Sequence, residues 1–152
     1  MTTMGARAVA EAEKWIGTPY RHQASEIGVG SDCLGLIRGV WGGLYGEVPG
    51  IGAPYAADWA ERTGRERLLD AAARYCGTAI ALEQMAPGDI LLFRWRAQFA
   101  AKHAGILSAD DQFIHAYEQA GVIRSSLVPG WRRRIAGVYR FPDFPPVRSG
   151  TD

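Results

Sequence analysis

The sequence predicts one α+β domain, with helices in its first half packed on a single antiparallel sheet formed by its second half. Three observations carry this. Apolar residues recur at helical spacing up to Tyr75, whereas from Pro87 the chain breaks into short strand-like runs. The links between those runs are short, as antiparallel neighbours require. A chain of 152 residues that is 47% hydrophobic has the size and composition of one hydrophobic core. The domain is assigned to residues 1–144, and the polar tail Pro145 to Asp152 is expected to be disordered.

Taken in order, Ala6 to Ile16 reads as an amphipathic helix through Val9, Ala12 and Ile16, stopped by Gly17-Thr18-Pro19. Tyr20 follows that turn. Arg21 to Ser31, with Gly28 and Gly30, reads as a loop that delivers the chain to Asp32. A second helix spans Cys33 to Tyr45 and buries Leu36, Ile37, Val40 and Trp41 or Leu44. Gly46 to Ala57, with Pro49, Gly50, Gly52 and Pro54, is a loop within the domain. Arg65 to Tyr75 is helical by its Leu68, Leu69, Ala72 and Ala73 spacing, with Gly77 as cap and Cys76 at that end. Strands are expected over Asp89 to Trp95, His103 to Leu107, Gln112 to Tyr117, Gly121 to Ser125 and Ile135 to Phe141.

Charge argues against several functions. Seventeen Lys and Arg against sixteen Asp and Glu leave a net charge of +1, so no global field attracts nucleic acid or an anionic membrane. The basic run Arg132-Arg133-Arg134 beside Trp131 reads as a solvated edge. No apolar run approaches the roughly 20 residues of a membrane span, and Met1 to Trp15 lacks the features of a secretory signal, so synthesis in the cytoplasm is expected. Cys33 and Cys76 read accordingly as two free thiols.

The candidate chemistry centres on Cys33. Its place at a helix start would lower the thiol pKa through the unpaired N–H groups and the helix dipole, whereas Cys76 at a helix end would be disfavoured as thiolate. The alternative for Cys33 is a small packed core residue. His103 and His115 lie on two successive strands at an even separation. Ala104, Ile106, Ile114 and Ala116 form one apolar face, leaving His103, Gly105 and His115 on the other. A three-residue turn pairing Leu107 with Asp111 would put His103 opposite His115, as a base and its orienting partner. Two satisfied polar residues at a sheet surface are the alternative.

Thr18-Pro19-Tyr20, Ser31-Asp32-Cys33-Leu34-Gly35-Leu36, Pro87-Gly88-Asp89-Ile90, His103-Ala104-Gly105-Ile106 and Phe113-Ile114-His115-Ala116 together resemble, in order and spacing, the NlpC/P60 cysteine peptidases. The resemblance runs from about Ala6 to Ser125 and implies a papain-like fold. Pro54-Tyr55, Asp58-Trp59, Ala101-Lys102-His103 and Trp131 to Arg134 resemble the branch found in phage tails and gene transfer agents. It implies that Cys33 attacks an amide carbonyl, His103 is the base and His115 orients it. Tyr20 would offer its hydroxyl to the oxyanion, with packing against the first helix as the plainer role. Asp32 matches an acidic residue that binds a substrate amine, and is equally an N-cap.

The chain departs from the family pattern in three respects. Leu34 stands where Ser usually follows the nucleophile, Arg21-His22-Gln23-Ala24 replaces the common Trp-Gly-Gly, and Lys102 precedes the base, where a cation can lower the imidazole pKa.

The expected activity is endopeptidase cleavage of peptidoglycan stem peptides at the D-glutamyl-diamino acid bond, without cofactor or metal. The partners implied are the stem peptide and components of a phage-like tail or gene transfer agent, with no nucleic acid and no membrane insertion. Delivery by such a particle to the periplasmic wall follows. One rival is a structural tail-tip protein with little activity. Another is a zinc site drawing on Cys33, His103, His115 and His22, which lack the short paired spacing of structural zinc ligands.

Overall fold

The computed structural model describes residues 3–46 and 66–144. The loop after Gly46, the pairs Pro54-Tyr55 and Asp58-Trp59, and the tail Pro145 to Asp152 lie outside the described residues.

Helix α1 spans Met4–Glu13, with the Thr3 hydroxyl accepting from the Ala6 amide at its start. It ends before the expected Ile16. The Lys14, Trp15 and Ile16 amides donate to carbonyls three residues back, a tightened turn that swings Trp15 inward and leaves Ile16 40% exposed. The buried face is therefore Ala8, Ala12 and Trp15 instead of Val9, Ala12 and Ile16. A two-stranded ribbon follows, β1 (Ser25–Glu26) with β2 (Gly30–Ser31), and leads into helix α2 at Cys33–Tyr45, with the expected bounds. Leu36, Val40, Trp41 and Leu44 are all buried on α2. Helix α3 spans Arg67–Cys76 and ends at Gly77, whose φ of 82° is the left-handed region that favours glycine.

The second half forms a five-stranded antiparallel sheet in the order β6-β5-β4-β3-β7. Its strands are β3 (Ile90–Phe93), β4 (His103–Ala109), β5 (Gln112–Tyr117), β6 (Gly121–Ser126) and β7 (Ile135–Tyr139). One face carries Ile90, Leu92, Ala104, Ile106, Ile114 and Ala116 against α1 and α2. The other carries Leu91, Phe93, Leu107, Phe113 and Val138 and is closed by Leu127 and Trp131, the latter on the short helix α4 (Pro129–Arg132). Ile90-Leu91-Leu92-Phe93 is a continuous apolar run because β3, between β4 and β7, is buried on both faces.

Strand β3 is shorter than expected because its flanking polar residues have other partners. Asp89, 1% exposed, receives the Arg140 guanidinium on both oxygens, at 2.8 and 2.9 Å, and the Ala86 amide at 2.8 Å. Gly88 has φ of 99°, and a Cβ there would lie 2.4 Å from Gly5 Cα, so the Pro87-Gly88-Asp89 turn can press on α1 only with glycine.

The β4–β5 register differs from the expected one. Leu107 pairs with Phe113 and Gly105 with His115, because the connection is a tight Asp110-Asp111 turn with an irregularity between Leu107 and Ala109. The slip is two residues, so every side chain keeps its predicted face. No described helix is long and apolar enough to cross a membrane.

Gly35 fixes the start of α2 against the preceding loop: a Cβ there would sit 1.9 Å from the Ala24 carbonyl oxygen. Gly35→Ala should lower stability by about 1–3 kcal/mol, even though alanine is the better helix former. Urea unfolding monitored by circular dichroism measures it, and a midpoint equal to that of the unmodified protein would show that the loop yields without cost.

Candidate active site

Cys33 is the first residue of α2, and Asp32 is its cap. The Asp32 carboxylate, 2% exposed, accepts from the Gly35 amide at 2.8 Å through Oδ1 and from the Gln23 amide at 2.7 Å through Oδ2. One side chain thus ties together the backbone on either side of Cys33. Gln23 has a positive φ of 62°, and its bond to Asp32 helps to hold that conformation. The N-cap role of Asp32 is therefore realised. Its carboxylate also reaches the cavity described below, with His22 Nδ1 3.9 Å away.

The Thr18-Pro19-Tyr20 turn is built into the same corner. Thr18 Oγ1 accepts from the Gly28 amide at 2.9 Å, the Pro19 carbonyl accepts from the Ser31 amide at 2.9 Å, and Tyr20 bridges to Ser31. This places Tyr20 beside the residues that lead to Cys33. A cavity of about 330 Å³ opens there, lined by Tyr20, Cys33, Trp95, Lys102, His103 and Glu118 among others. The Cys33 thiol faces the backbone on either side of His103: Sγ lies 3.7 Å from the Lys102 carbonyl oxygen, and the Ala104 N–H points at the sulfur.

His103 and His115 meet obliquely across β4 and β5. His115 sits opposite Gly105, and His103 Nε2 is 2.8 Å from His115 Nδ1. A Cβ on Gly105 would come within 3.1 Å of His115 Cβ. The two histidines are thus brought together, diagonally instead of directly opposite. His115 Nε2 is in turn 2.8 Å from Ser125 Oγ on β6. Trp131 covers the pair, its ring 5.6 Å from that of His103 and 5.2 Å from that of His115, and Trp95 stacks on His103 at 5.3 Å.

Electrostatics departs from the helix-dipole expectation for Cys33. Burial, with the Asp32 carboxylate second, pushes the Cys33 thiol up to about 12. The Ala104, Leu34 and Cys33 amides pull the other way without prevailing. Cys76, lining a small apolar pocket, is also pushed up to about 12 by burial, so thiol acidity does not separate the two free cysteines. Burial lowers His103 to about 3, with His115 adding to the shift, and burial lowers His115 to about 4. Lys102 is not among the causes. Burial first, then the charges at Cys33, Asp32 and Glu118, raise Tyr20 to about 12, so its hydroxyl stays a donor at neutral pH. At neutral pH these shifts leave the Cys33 thiol and both imidazoles uncharged.

Sequence reasoning singled out Cys33, His103, His115, Tyr20 and Asp32 and missed Ser125, Trp95 and Trp131. Alternation along β6 could have placed Ser125 on the histidine face, but only with the β5–β6 register known. Arg134, expected at a solvated edge, bonds the Gly130 carbonyl at 2.7 Å and so helps to hold the turn that carries Trp131. Among the described residues no three His, Cys, Asp or Glu side chains are grouped to hold a metal.

The two buried imidazoles predict how stability depends on pH. Unfolded, each takes up a proton near pH ~6.5, whereas in the fold they stay neutral down to about 4 and about 3. The unfolded chain then binds more protons, so stability falls on acidification between those limits, by up to ~1.4 kcal/mol per pH unit for each ring. His115→Asn should flatten that slope by up to one ring's share. Urea midpoints from pH 7 to 4.5 test this, and an unchanged slope would place the lost stability elsewhere.

The NlpC/P60 family profile matches residues 17–140. Gamma-DL-glutamyl hydrolase of Bacillus subtilis is 30% identical over 142 residues, which is 91% of this chain and 30% of that protein. Murein DD-endopeptidase MepS/Murein LD-carboxypeptidase of Escherichia coli K12 is 28% identical over 131 residues, 85% of this chain and 58% of that one. The chain thus spans roughly a third to three fifths of the length of these two relatives. Among solved structures, the NlpC/p60 domain of peptidoglycan hydrolase SagA superposes with a TM-score of 0.64 at 28% identity, covering 90% of this chain and 98% of that domain. NlpC1 from Trichomonas vaginalis, at 21% identity, shares the fold with a TM-score of 0.65 over 93% of this chain and 45% of that one. With its fold, its motif order and its profile match in agreement, the chain belongs to the NlpC/P60 family of cysteine peptidases.

Proposed function

We propose that this protein is a cysteine endopeptidase that hydrolyses amide bonds of peptidoglycan stem peptides, between D-glutamate and the diamino acid. The observation that carries the reading is the convergence of Cys33, Tyr20 and His103 on one cavity, with His103 Nε2 held by His115. Because Nε2 is engaged, Nδ1 is the ring nitrogen left to take the thiol proton. Cys33 Sγ attacks the amide carbon as that proton passes to His103, and a tetrahedral oxyanion forms within reach of the Tyr20 hydroxyl. Collapse breaks the C–N bond, and His103 returns the proton to the leaving amine. Water then attacks the thioester with His103 again as base, releasing the acid and restoring the thiol. The carboxylates of the buried Asp32 and the exposed Glu118 both line the cavity, and the family resemblance assigns binding of a substrate ammonium to Asp32.

The choice of bond draws on the family resemblance and on the glutamyl hydrolase name of one relative; the murein endopeptidase relative is named for a DD bond instead. Local resemblance at Ala101-Lys102-His103 and Trp131 to Arg134 supports carriage by a phage-like tail or gene transfer agent to the periplasmic wall. The rival is a tail-tip protein that keeps the fold without the activity.

Purified peptidoglycan incubated with the protein, with released fragments identified by mass spectrometry, decides between them. New termini at D-glutamate and at the diamino acid amine are expected, and an undigested wall would favour the structural role. Cys33→Ser should lose all turnover with the fold intact. His103→Ala should lose more than His115→Ala, since the base moves the proton whereas its partner positions the base. Equal losses would overturn that division. Tyr20→Phe should slow acylation without altering the unfolding midpoint, and unchanged acylation kinetics would leave Tyr20 a packing role.

A further inference from the structure

The proton bookkeeping of the His103–His115 pair extends to a residue on the next strand. Both rings are neutral near pH 7, so each carries one N–H, and the 2.8 Å contact between His103 Nε2 and His115 Nδ1 requires one proton between them. Two arrangements satisfy this. In one, His103 donates from Nε2, His115 accepts at Nδ1 and donates from Nε2, and His103 Nδ1 is left bare. In the other every proton is reversed and His103 Nδ1 carries hydrogen. Only the first can accept a proton from a thiol.

Once His103 has taken that proton the choice disappears. Its Nε2–H must donate, so His115 must accept at Nδ1 and carry its own proton on Nε2. That N–H belongs to a side chain only 1% exposed and needs a protein acceptor. Ser125 Oγ, 2.8 Å away, is placed to be it. The sheet builds this arrangement by repetition. Gly105 pairs with His115 and Phe113 with Ser125, so each partner lies one diagonal step further along, and His103, His115 and Ser125 form an oblique row over three strands.

We propose that Ser125 is a positioning residue of the site, accepting the His115 Nε2 proton so that His103 holds its own on Nε2 and keeps Nδ1 bare for the Cys33 thiol. This rests on the pairing of Cys33 with His103 as nucleophile and base, and not on the identity of the substrate. Ser125→Ala removes the acceptor. Ser125→Thr keeps it and adds only a β-branched methyl suited to a strand.

The test has two readouts that need no wall substrate. Nitrogen-15 spectra of the imidazoles, only three in this chain, report which nitrogen is protonated. Iodoacetamide alkylation of Cys33 near neutral pH, followed by peptide mapping, reports thiol activation. The expectation is Nε2–H on both His103 and His115 in the unmodified protein. Ser125→Ala should populate Nδ1–H on His115 and slow Cys33 alkylation on the order of tenfold, with the Cys76 rate unchanged. Ser125→Thr should restore both. A proton on His103 Nδ1 in the unmodified protein, or a Ser125→Ala variant that alkylates Cys33 at the original rate, overturns the proposal. Because Cys33 alkylation is read directly, an unmodified protein that fails to digest peptidoglycan would sink the substrate reading and leave this result standing. If His103→Ala alkylates Cys33 as fast as the unmodified protein, the nucleophile and base pairing itself falls.

Discussion

The site turns on a single hydrogen bond, between two buried imidazole rings. At 2.8 Å the His103–His115 contact uses one nitrogen of each ring and so decides what the other nitrogen can do. Its geometry is set by the backbone. Gly105 lies opposite His115, and a Cβ there would crowd the Ile114 carbonyl oxygen at 2.9 Å and His115 Cβ at 3.1 Å. The register that pairs them follows from the Asp110-Asp111 turn and the irregularity behind it, several residues from the chemistry. Trp131 then closes over both rings, which lowers their affinity for protons and makes their mutual bond the main satisfaction available to them.

That burial changes the character of the nucleophile. A cysteine at a helix start suggests a thiolate held by the dipole, but here the apolar surroundings and the carboxylate of Asp32 outweigh the amides that favour the anion. The same Asp32 that fixes the helix start works against ionisation of the residue it positions, so placement and acidity are in opposition. In the proposed mechanism reactivity therefore resides in the pair, with the thiol activated by proton transfer to His103. In one respect His103 suits the proposed role of base: burial holds its ring neutral at neutral pH, so it needs no deprotonation before it acts.

Much of this was legible in the sequence, for identifiable reasons. The bounds of α2 could be read because Asp32 and the loop-starting Gly46 flank a clean helical period; Asp32 caps as expected, and Gly46 ends the helix with φ of 86°. The two faces of the sheet could be read because alternation survives any even slip of register. What the sequence hid was whatever depended on three-dimensional approach. Trp15 instead of Ile16 enters the core because the end of α1 tightens, which periodicity does not report. Trp131 reads as the start of a basic edge, yet its ring packs on both histidines from a helix of one turn. Ser125 is invisible until β5 and β6 are in register. Charge was misleading at Lys102, which adjoins the base in sequence but is not what lowers its pKa.

The arrangement also bears on the choice between an enzyme and an inert member of the same fold. Two imidazoles below a tenth exposure and a nearly fully buried carboxylate are expensive to keep in a small domain, since each needs partners that an apolar residue of similar size would not. Asp32 has a structural return: it caps α2 and anchors Gln23. The His103–His115–Ser125 row caps no element, and the same sheet face is otherwise held by apolar Leu91, Phe93, Leu107 and Phe113. A row of buried polar groups that ends beside a cavity therefore fits the proton transfer proposed above better than a purely architectural role.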